Sequence, residues 1–203
     1  MLYIFFKLTR KIQAAWHGLY CKVKVASLHQ LSEKRFVIEP GIIMGKGFSI
    51  KSDISATTIA IGQAVRCRDN FHILMGNNGN LSIGRNCFFN NNCSITCLEK
   101  IEIGNDTQFG ENVLIYDHNH RYQDSNQLIS SQGYSAGSIK IGSNCWIGSN
   151  VIILKGVAIG DNVVIGAGCI IYKSIEAGSI VVNQQDLNIK KINQPTATGT
   201  SGE

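Results

Sequence analysis

The residues from 141 to 170 decide the fold of this chain. They read Ile141-Gly-Ser-Asn-Cys-Trp, Ile147-Gly-Ser-Asn-Val-Ile, Ile153-Leu-Lys-Gly-Val-Ala, Ile159-Gly-Asp-Asn-Val-Val and Ile165-Gly-Ala-Gly-Cys-Ile. An isoleucine recurs every six residues, and a small or β-branched residue stands four positions after each one. A period of six matches neither the alternation of a simple hairpin nor the repeat of an α-helix. The pattern predicts short strands joined by tight corners, with three units forming one triangular coil.

Stacked coils of this kind place each unit on the unit three repeats away. We therefore expect Ile141 beneath Ile159, Ile147 beneath Ile165 and Ile153 beneath Ile171, all pointing inward. Gly and Asn at the corners fit this arrangement, because both tolerate the positive φ angles that tight corners need.

The same unit continues upstream, with weaker starts at Ile61 and Ile43, but its spacing is interrupted three times. Four extra residues lie between Ile61 and Ile83, absorbed at 76–80, and two lie near 98–100. The third interruption is the largest: between Ile115 and Ile141 the chain has 20 residues more than the period of six requires. It predicts that residues 117–138 are ejected from the coil as a loop, and long loops on rigid scaffolds usually carry function.

Composition and charge limit the class of protein. A chain of 203 residues with 44% hydrophobic and 16% charged residues fits one globular domain with short extensions. The net charge of +5 suits an acidic cofactor or a weak attraction to an anionic membrane surface. No basic run with interleaved aromatics is present, so we expect no nucleic-acid partner.

Seven cysteines cannot all pair within one chain. Four of them occupy the small-residue position of the repeat, which predicts buried thiols in a reducing compartment: Cys87, Cys93, Cys145 and Cys169. No CxxC pair is present, so we expect no zinc site and no other metal.

The two ends differ from the repeats. Residues 1–35 are expected to form a helical, amphipathic segment, which could contact a membrane peripherally or cap the domain or a neighbouring subunit. Its apolar start is too short to span a bilayer. Residues 36–182 are expected to form the coil domain, and residues 183–203 an extension with a disordered end.

The Ile-Gly-x-x-Cys/Val units resemble the hexapeptide-repeat acyltransferases over about residues 59–182. The run from Trp146 to Gly168 is similar to the acetyl-CoA-using branch: galactoside, maltose, serine and streptogramin acetyltransferases, and polysaccharide O-acetyltransferases. This resemblance implies an all-β fold, a left-handed parallel β-helix with a short N-terminal helical segment and an ejected loop. It also implies acetyl-CoA as co-substrate and a homotrimer with active sites between neighbouring subunits.

In those relatives a loop histidine acts as general base on the acceptor hydroxyl, a task that suits a neutral imidazole. Counting without gaps from Ile115 puts this residue at His120, and Asn119-His120-Arg121 resembles the streptogramin branch around its base. His118 remains an alternative, because two positions apart in an extended segment share a face.

The resemblance also implies binding positions. Asn90 matches a position that contacts the acceptor sugar, although a plain corner asparagine is the alternative. Trp146 matches a tryptophan near the acetyl group, with packing alone as the alternative. The other implied acetyl-CoA positions are Ser149, Ala167, Tyr172 and Lys173. The family's usual Gly-x-Pro turn after the last coil is replaced here by Val182-Asn-Gln-Gln-Asp-Leu187.

The expected function is therefore O-acetylation of a sugar hydroxyl, in a bacterial capsule or O-antigen glycan or its precursor. We expect it in the cytoplasm, at the inner face of the membrane if residues 1–35 contact lipid. Streptogramin-type antibiotic acetylation and a non-catalytic β-helix for assembly are the alternatives. A zinc enzyme of the γ-carbonic anhydrase kind would need three histidines, and only His118 and His120 cluster.

Overall fold

The computed structural model of the chain describes Leu19 and residues 35–52, 57–76 and 78–184. The expected N-terminal helical segment and the expected disorder at the C-terminal end lie outside the described residues. No helix in the described part of the chain is long and apolar enough to cross a membrane.

The described residues are almost entirely strands and corners. In chain order the strands are β1 (Phe36–Ile38), β2 (Ile43–Met44), β3 (Ser49–Ser52), β4 (Thr58–Ile61), β5 (Arg66–Cys67), β6 (His72–Met75), β7 (Asn80–Ile83), β8 (Phe88–Phe89), β9 (Ser94–Cys97), β10 (Lys100–Ile103), β11 (Gln108–Phe109), β12 (Leu114–Tyr116), β13 (His118–His120), β14 (Tyr134–Ala136), β15 (Ile139–Ile141), β16 (Trp146–Ile147), β17 (Ile152–Ile153), β18 (Ala158–Ile159), β19 (Val164–Ile165), β20 (Ile170–Ile171) and β21 (Ile180–Val181). One 3-10 turn, Ile129–Ser131, lies between β13 and β14.

Parallel pairing sorts these strands into three faces of a triangular prism. Face A is β1-β4-β7-β10-β15-β18, face B is β2-β5-β8-β11-β16-β19-β21, and face C is β3-β6-β9-β12-β17-β20. The chain visits A, B and C in turn, so coils 1 to 6 each contain three strands, and β21 belongs to the next coil. We name the corners AB, BC and CA after the faces they join.

The predicted isoleucine stacks are confirmed. Ile141 pairs with Ile159, Ile147 with Ile165 and Ile153 with Ile171, and all are buried. Inward residues of every coil join one continuous hydrophobic core. The chain is an all-β, left-handed parallel β-helix, as expected.

The coils differ in length at one corner. Paired positions on face A are 23, 22, 20, 38 and 18 residues apart from one coil to the next. In coils 1 to 6 the AB and BC corners always have the same length, so every surplus residue falls at the CA corner. The three interruptions predicted from the sequence all lie there.

Backbone geometry explains why the AB and BC corners keep one length. Their third residue has positive φ in every coil, as at Asn112 (56°), Asn144 (54°), Asn150 (60°) and Asn162 (58°). The amide of Asn144 donates to the Asn162 side-chain oxygen at 2.8 Å, and Asn112 donates to Asn150 at 2.8 Å. Each corner therefore bonds to the corner of the neighbouring coil, and an inserted residue would break that ladder.

Candidate active site

The ejected segment forms an ordered hairpin at the CA corner between coils 4 and 5. Strand β13 pairs antiparallel with β14, and His120 faces Tyr134 in the register. Beyond the strands, the Gln132 side chain donates to the carbonyls of Asp124 and Gln127 and so closes the tip on itself.

The neck of this hairpin is built on a buried carboxylate. Asp117 is fully buried and accepts hydrogen bonds from the backbone N–H groups of Leu98, Glu99 and Lys100 at 2.8 to 3.1 Å. On the returning strand, the Gly137 N–H donates to the Asp117 carbonyl at 2.8 Å. These bonds connect the exit and return of the hairpin to the CA corner between coils 3 and 4.

Both predicted histidines lie on one side of the hairpin, beside Tyr134. The His118 side chain is 16% exposed, and its Nδ1 lies 3.4 Å from Asp117 Oδ1. Its ring meets the Tyr134 ring edge-on at 5.3 Å between centroids. His120 is exposed, with its ring centroid 4.6 Å from that of Tyr134. An imidazole held at one nitrogen by a carboxylate presents its other nitrogen as an acceptor.

A lysine from the next coil is hydrogen-bonded to the hairpin. Lys155 Nζ donates to Ser135 Oγ at 2.6 Å, and the Ser138 hydroxyl donates to Glu99 Oε1 at 2.7 Å. Sequence reasoning singled out neither Asp117 nor Lys155. A signal for Lys155 existed, because Ile153-Leu-Lys-Gly departs from the Ile-Gly pattern of the other units.

The predicted acceptor residue Asn90 lies at the BC corner of coil 3. Its Oδ1 accepts from the Asn91 N–H at 2.9 Å and from Arg68 Nη1 at 3.4 Å. Because the strands of face C run from the BC corner to the CA corner, Asn90 and the histidines stand at opposite ends of that face. One chain alone does not bring them together.

The predicted acetyl-CoA positions also divide between corners. Ser149 and Ala167 lie at the BC corner of coils 5 and 6, and Trp146 is 62% exposed on face B. Tyr172 and Lys173 lie at the CA corner of coil 6, with Lys173 Nζ 5.6 Å from the Tyr172 ring centroid.

The BC corner of coil 6 is open to solvent. A Cβ built on Gly168 would meet nothing within 4 Å, and the neighbouring Ala167 is exposed. The Ser149 hydroxyl accepts from the Glu111 N–H at 3.1 Å and keeps its own proton available.

Among residues 35–52, 57–76 and 78–184, no three His, Cys, Asp or Glu side chains gather as a metal site. The six described cysteines are all buried and none forms a disulfide. Four of them are the cysteines predicted at the small-residue position, Cys87, Cys93, Cys145 and Cys169.

A parallel β-helix with a histidine-bearing hairpin at one corner defines the class of protein as a hexapeptide-repeat β-helix. The family model described as bacterial transferase hexapeptide (six repeats) matches residues 138–173. The "Probable acetyltransferase Rv3034c" of Mycobacterium tuberculosis is 27% identical over 127 residues, 63% of this chain and 42% of that protein. The "Nodulation protein L" of Rhizobium meliloti is 37% identical over 97 residues, 48% of this chain and 51% of that protein.

The fold is shared with solved structures. A point mutant of AntD, an N-acyltransferase from Bacillus cereus in complex with dTDP and coenzyme A, superposes with a TM-score of 0.62. It is 18% identical, and the match covers 83% of this chain and 89% of that one. Residues 138–173 of the chain therefore carry the bacterial transferase hexapeptide repeat. It spans about half the length of the curated relatives it matches.

Proposed function

We propose that this protein transfers an acetyl group from acetyl-CoA to a sugar hydroxyl, in a bacterial surface polysaccharide or its precursor. The observation that carries the proposal is the hairpin of residues 117–138, which holds two histidines against a rigid β-helix. The match of residues 138–173 to the hexapeptide transferase model and the name of the mycobacterial relative support acetyl transfer.

The chemistry needs one base and no covalent enzyme intermediate. The unprotonated ring nitrogen of His120 accepts the proton of the acceptor hydroxyl while the oxygen attacks the thioester carbonyl carbon. A carbon–oxygen bond forms, the carbonyl becomes a tetrahedral oxyanion, and hydrogen-bond donors stabilise it. The carbon–sulfur bond then breaks, and the CoA thiolate takes the proton back from the imidazolium.

His118 is the alternative base, and its surroundings support it. Its contact with the buried Asp117 would hold the ring in one orientation. His120 has greater exposure, which gives an incoming acceptor direct access. Both histidine rings contact Tyr134. The histidine that is not the base would therefore still position the catalytic histidine through this tyrosine.

We also propose a homotrimer. Packing the BC corner of one subunit against the CA hairpin of the next would unite Asn90 and the histidines, which one chain keeps apart. Ser149, Ala167 and Trp146 would then line the acetyl-CoA groove, with Lys173 near a phosphate of its nucleotide.

We place the enzyme in the cytoplasm, at the inner membrane face if residues 1–35 contact lipid.

The test is acetyl-CoA-dependent thiol release with a panel of glycans, serine and a streptogramin. His120→Ala should lower kcat by about 10²- to 10⁴-fold, the usual contribution of a general base. His72→Ala is the matched control, because His72 is an exposed histidine on face C, hydrogen-bonded to Ser49 at 2.7 Å.

Two outcomes would change the proposal. A larger loss in His118→Ala than in His120→Ala would transfer the role of base to His118. Absence of thiol release with every acceptor, together with absence of CoA binding in a titration, would leave a non-catalytic β-helix. Sedimentation equilibrium tests the trimer separately.

A further inference from the structure

Two arginines at the start of the BC edge share one aromatic ring. Arg66 lies on β5, directly beneath Phe88 of β8 in the register of face B, and Arg68 follows two residues later. Their guanidinium carbons lie 5.6 and 5.7 Å from the Phe88 ring centroid. Such contacts hold a guanidinium in place without neutralising its charge.

The charge of this pair has no counterpart within the described part of the chain. Neither Arg66 nor Arg68 has a carboxylate within ion-pair distance there. The acidic residues along the same corner are engaged elsewhere: Asp69 accepts from the Lys46 N–H at 2.8 Å, and Glu111 accepts from the Asn91 amide at 3.1 Å.

Asn90 adds further donors beside the arginines. Its oxygen is committed to the Asn91 N–H and to Arg68, which leaves its NH₂ group without a hydrogen bond among the described residues. Arg66, Arg68 and Asn90 therefore present N–H donors to solvent. We call these three residues, together with the Phe88 ring that both arginines contact, the arginine patch.

We propose that the arginine patch binds an oxyanion of the acceptor, so that the acceptor is an acidic glycan bearing a carboxylate or a phosphate. A guanidinium forms paired N–H···O bonds to either group, and two guanidiniums held on one ring lose little freedom on binding. This inference rests on the proposed function only in taking Asn90 as the acceptor contact. It adds what kind of acceptor the site selects.

The test uses three sugars that share one ring: galactose, galacturonic acid and galactose 1-phosphate. Each is titrated into the wild-type chain and its variants, with binding followed by ligand-observed NMR. At least one acidic sugar should bind about tenfold or more tightly than galactose, the usual gain from charge-assisted hydrogen bonds. The acidic sugar that binds identifies carboxylate or phosphate as the preferred group.

Three variants locate the effect. Arg66→Gln with Arg68→Gln should reduce acidic-sugar binding to the level of galactose. Arg66→Lys with Arg68→Lys should keep only part of the acidic-sugar binding, because lysine keeps the positive charge but lacks the paired N–H donors of a guanidinium. Arg85→Gln is the matched control, since exposed Arg85 already pairs with Asp106 at 3.9 Å on the neighbouring corner, and it should change nothing.

Equal binding of all three sugars, no binding of either acidic sugar, or an acidic preference that survives the double glutamine variant would each overturn the inference. A parallel CoA titration separates this failure from that of the proposed function. CoA binding without acidic preference rejects the arginine patch alone. Acidic preference without CoA binding rejects acetyl transfer and keeps the patch.

Discussion

Coils 5 and 6 and coils 1 to 4 have the same three faces, yet only the later coils show a regular repeat in the sequence. Coil 6 follows coil 5 after 18 residues, whereas the earlier steps take 23, 22, 20 and 38. The difference lies wholly at the CA corner. The hydrogen-bonded AB and BC corners keep one length in coils 1 to 6, and the added loops, including the hairpin with its histidines, lie at CA.

The core differs between the two regions in a second way. In coil 2 the inward pair is Cys67 and Phe71, and in coil 3 the matching pair is Phe89 and Cys93. The same two residue types have exchanged positions, which conserves the volume of the layer. The rings of Phe71 and Phe89 stack at 4.5 Å between centroids, so the exchange keeps a continuous aromatic column. Coil 5 has Ile147 in place of that ring.

The largest effect is expected from lengthening a corner. Inserting Gly-Ser after Asn150 at the BC corner would break the Asn112–Asn150 bond and displace the strands above it. We expect a loss of about 4 kcal/mol or more, roughly 10 °C or more in Tm. The same insertion after Asn78 at the CA corner should cost about 1 kcal/mol or less, because loop entropy grows slowly with length. Equal losses in thermal unfolding would contradict the view that only CA accepts insertions.

Truncating the aromatic column tests the two cores against each other. Phe89→Ala should lower the free energy of unfolding by about 3–5 kcal/mol, through lost burial and the cavity left behind. Ile147→Ala, two coils further on, should cost about 2–5 kcal/mol and less than Phe89→Ala. Urea denaturation of both variants gives the comparison. A smaller loss at Phe89 would mean that the aromatic column adds nothing beyond an aliphatic one.

The sequence predicted the regular region better than the irregular one, for physical reasons. A strict period of six and the surplus of 20 residues predict the isoleucine stacks and the ejected loop, since both follow from spacing alone. The pairing of that loop into a hairpin was not predicted. Coil 1 matches the repeat weakly, and Phe48 stands at its small-residue position. The neck at Asp117 could not be predicted, because its partners at 98–100 lie a full coil away.

The third residue of the AB corner differs between the two regions, and each region can be given the residue of the other. Asn144 of coil 5 has φ of 54° and donates to Asn162, whereas coil 2 has Ala64 at the matching position with φ of 57°. Asn144→Ala should cost about 1–2 kcal/mol, from left-handed strain and the lost bond. Ala64→Asn should gain about 0.5–1 kcal/mol, because Asn tolerates this conformation and can extend the ladder to Asn86. The urea midpoints of the two variants measure both changes. A lower midpoint for Ala64→Asn than for wild type would mean that coil 2 has no room for the amide.

A pH dependence is also expected from the buried thiol of Cys87 in coil 3. Burial raises the pKa of Cys87 from 9.0 to about 11, so the folded chain keeps a proton that the unfolded chain releases above pH 9. The stability due to this thiol is fully present below pH 9 and is lost as the pH rises towards 11. At pH 10 the loss is about 1 kcal/mol. Urea midpoints at pH 8 and pH 10 measure it, and Cys87→Ala should lose less stability over that interval than wild type. Identical losses in the two proteins would mean that Cys87 can ionise within the fold.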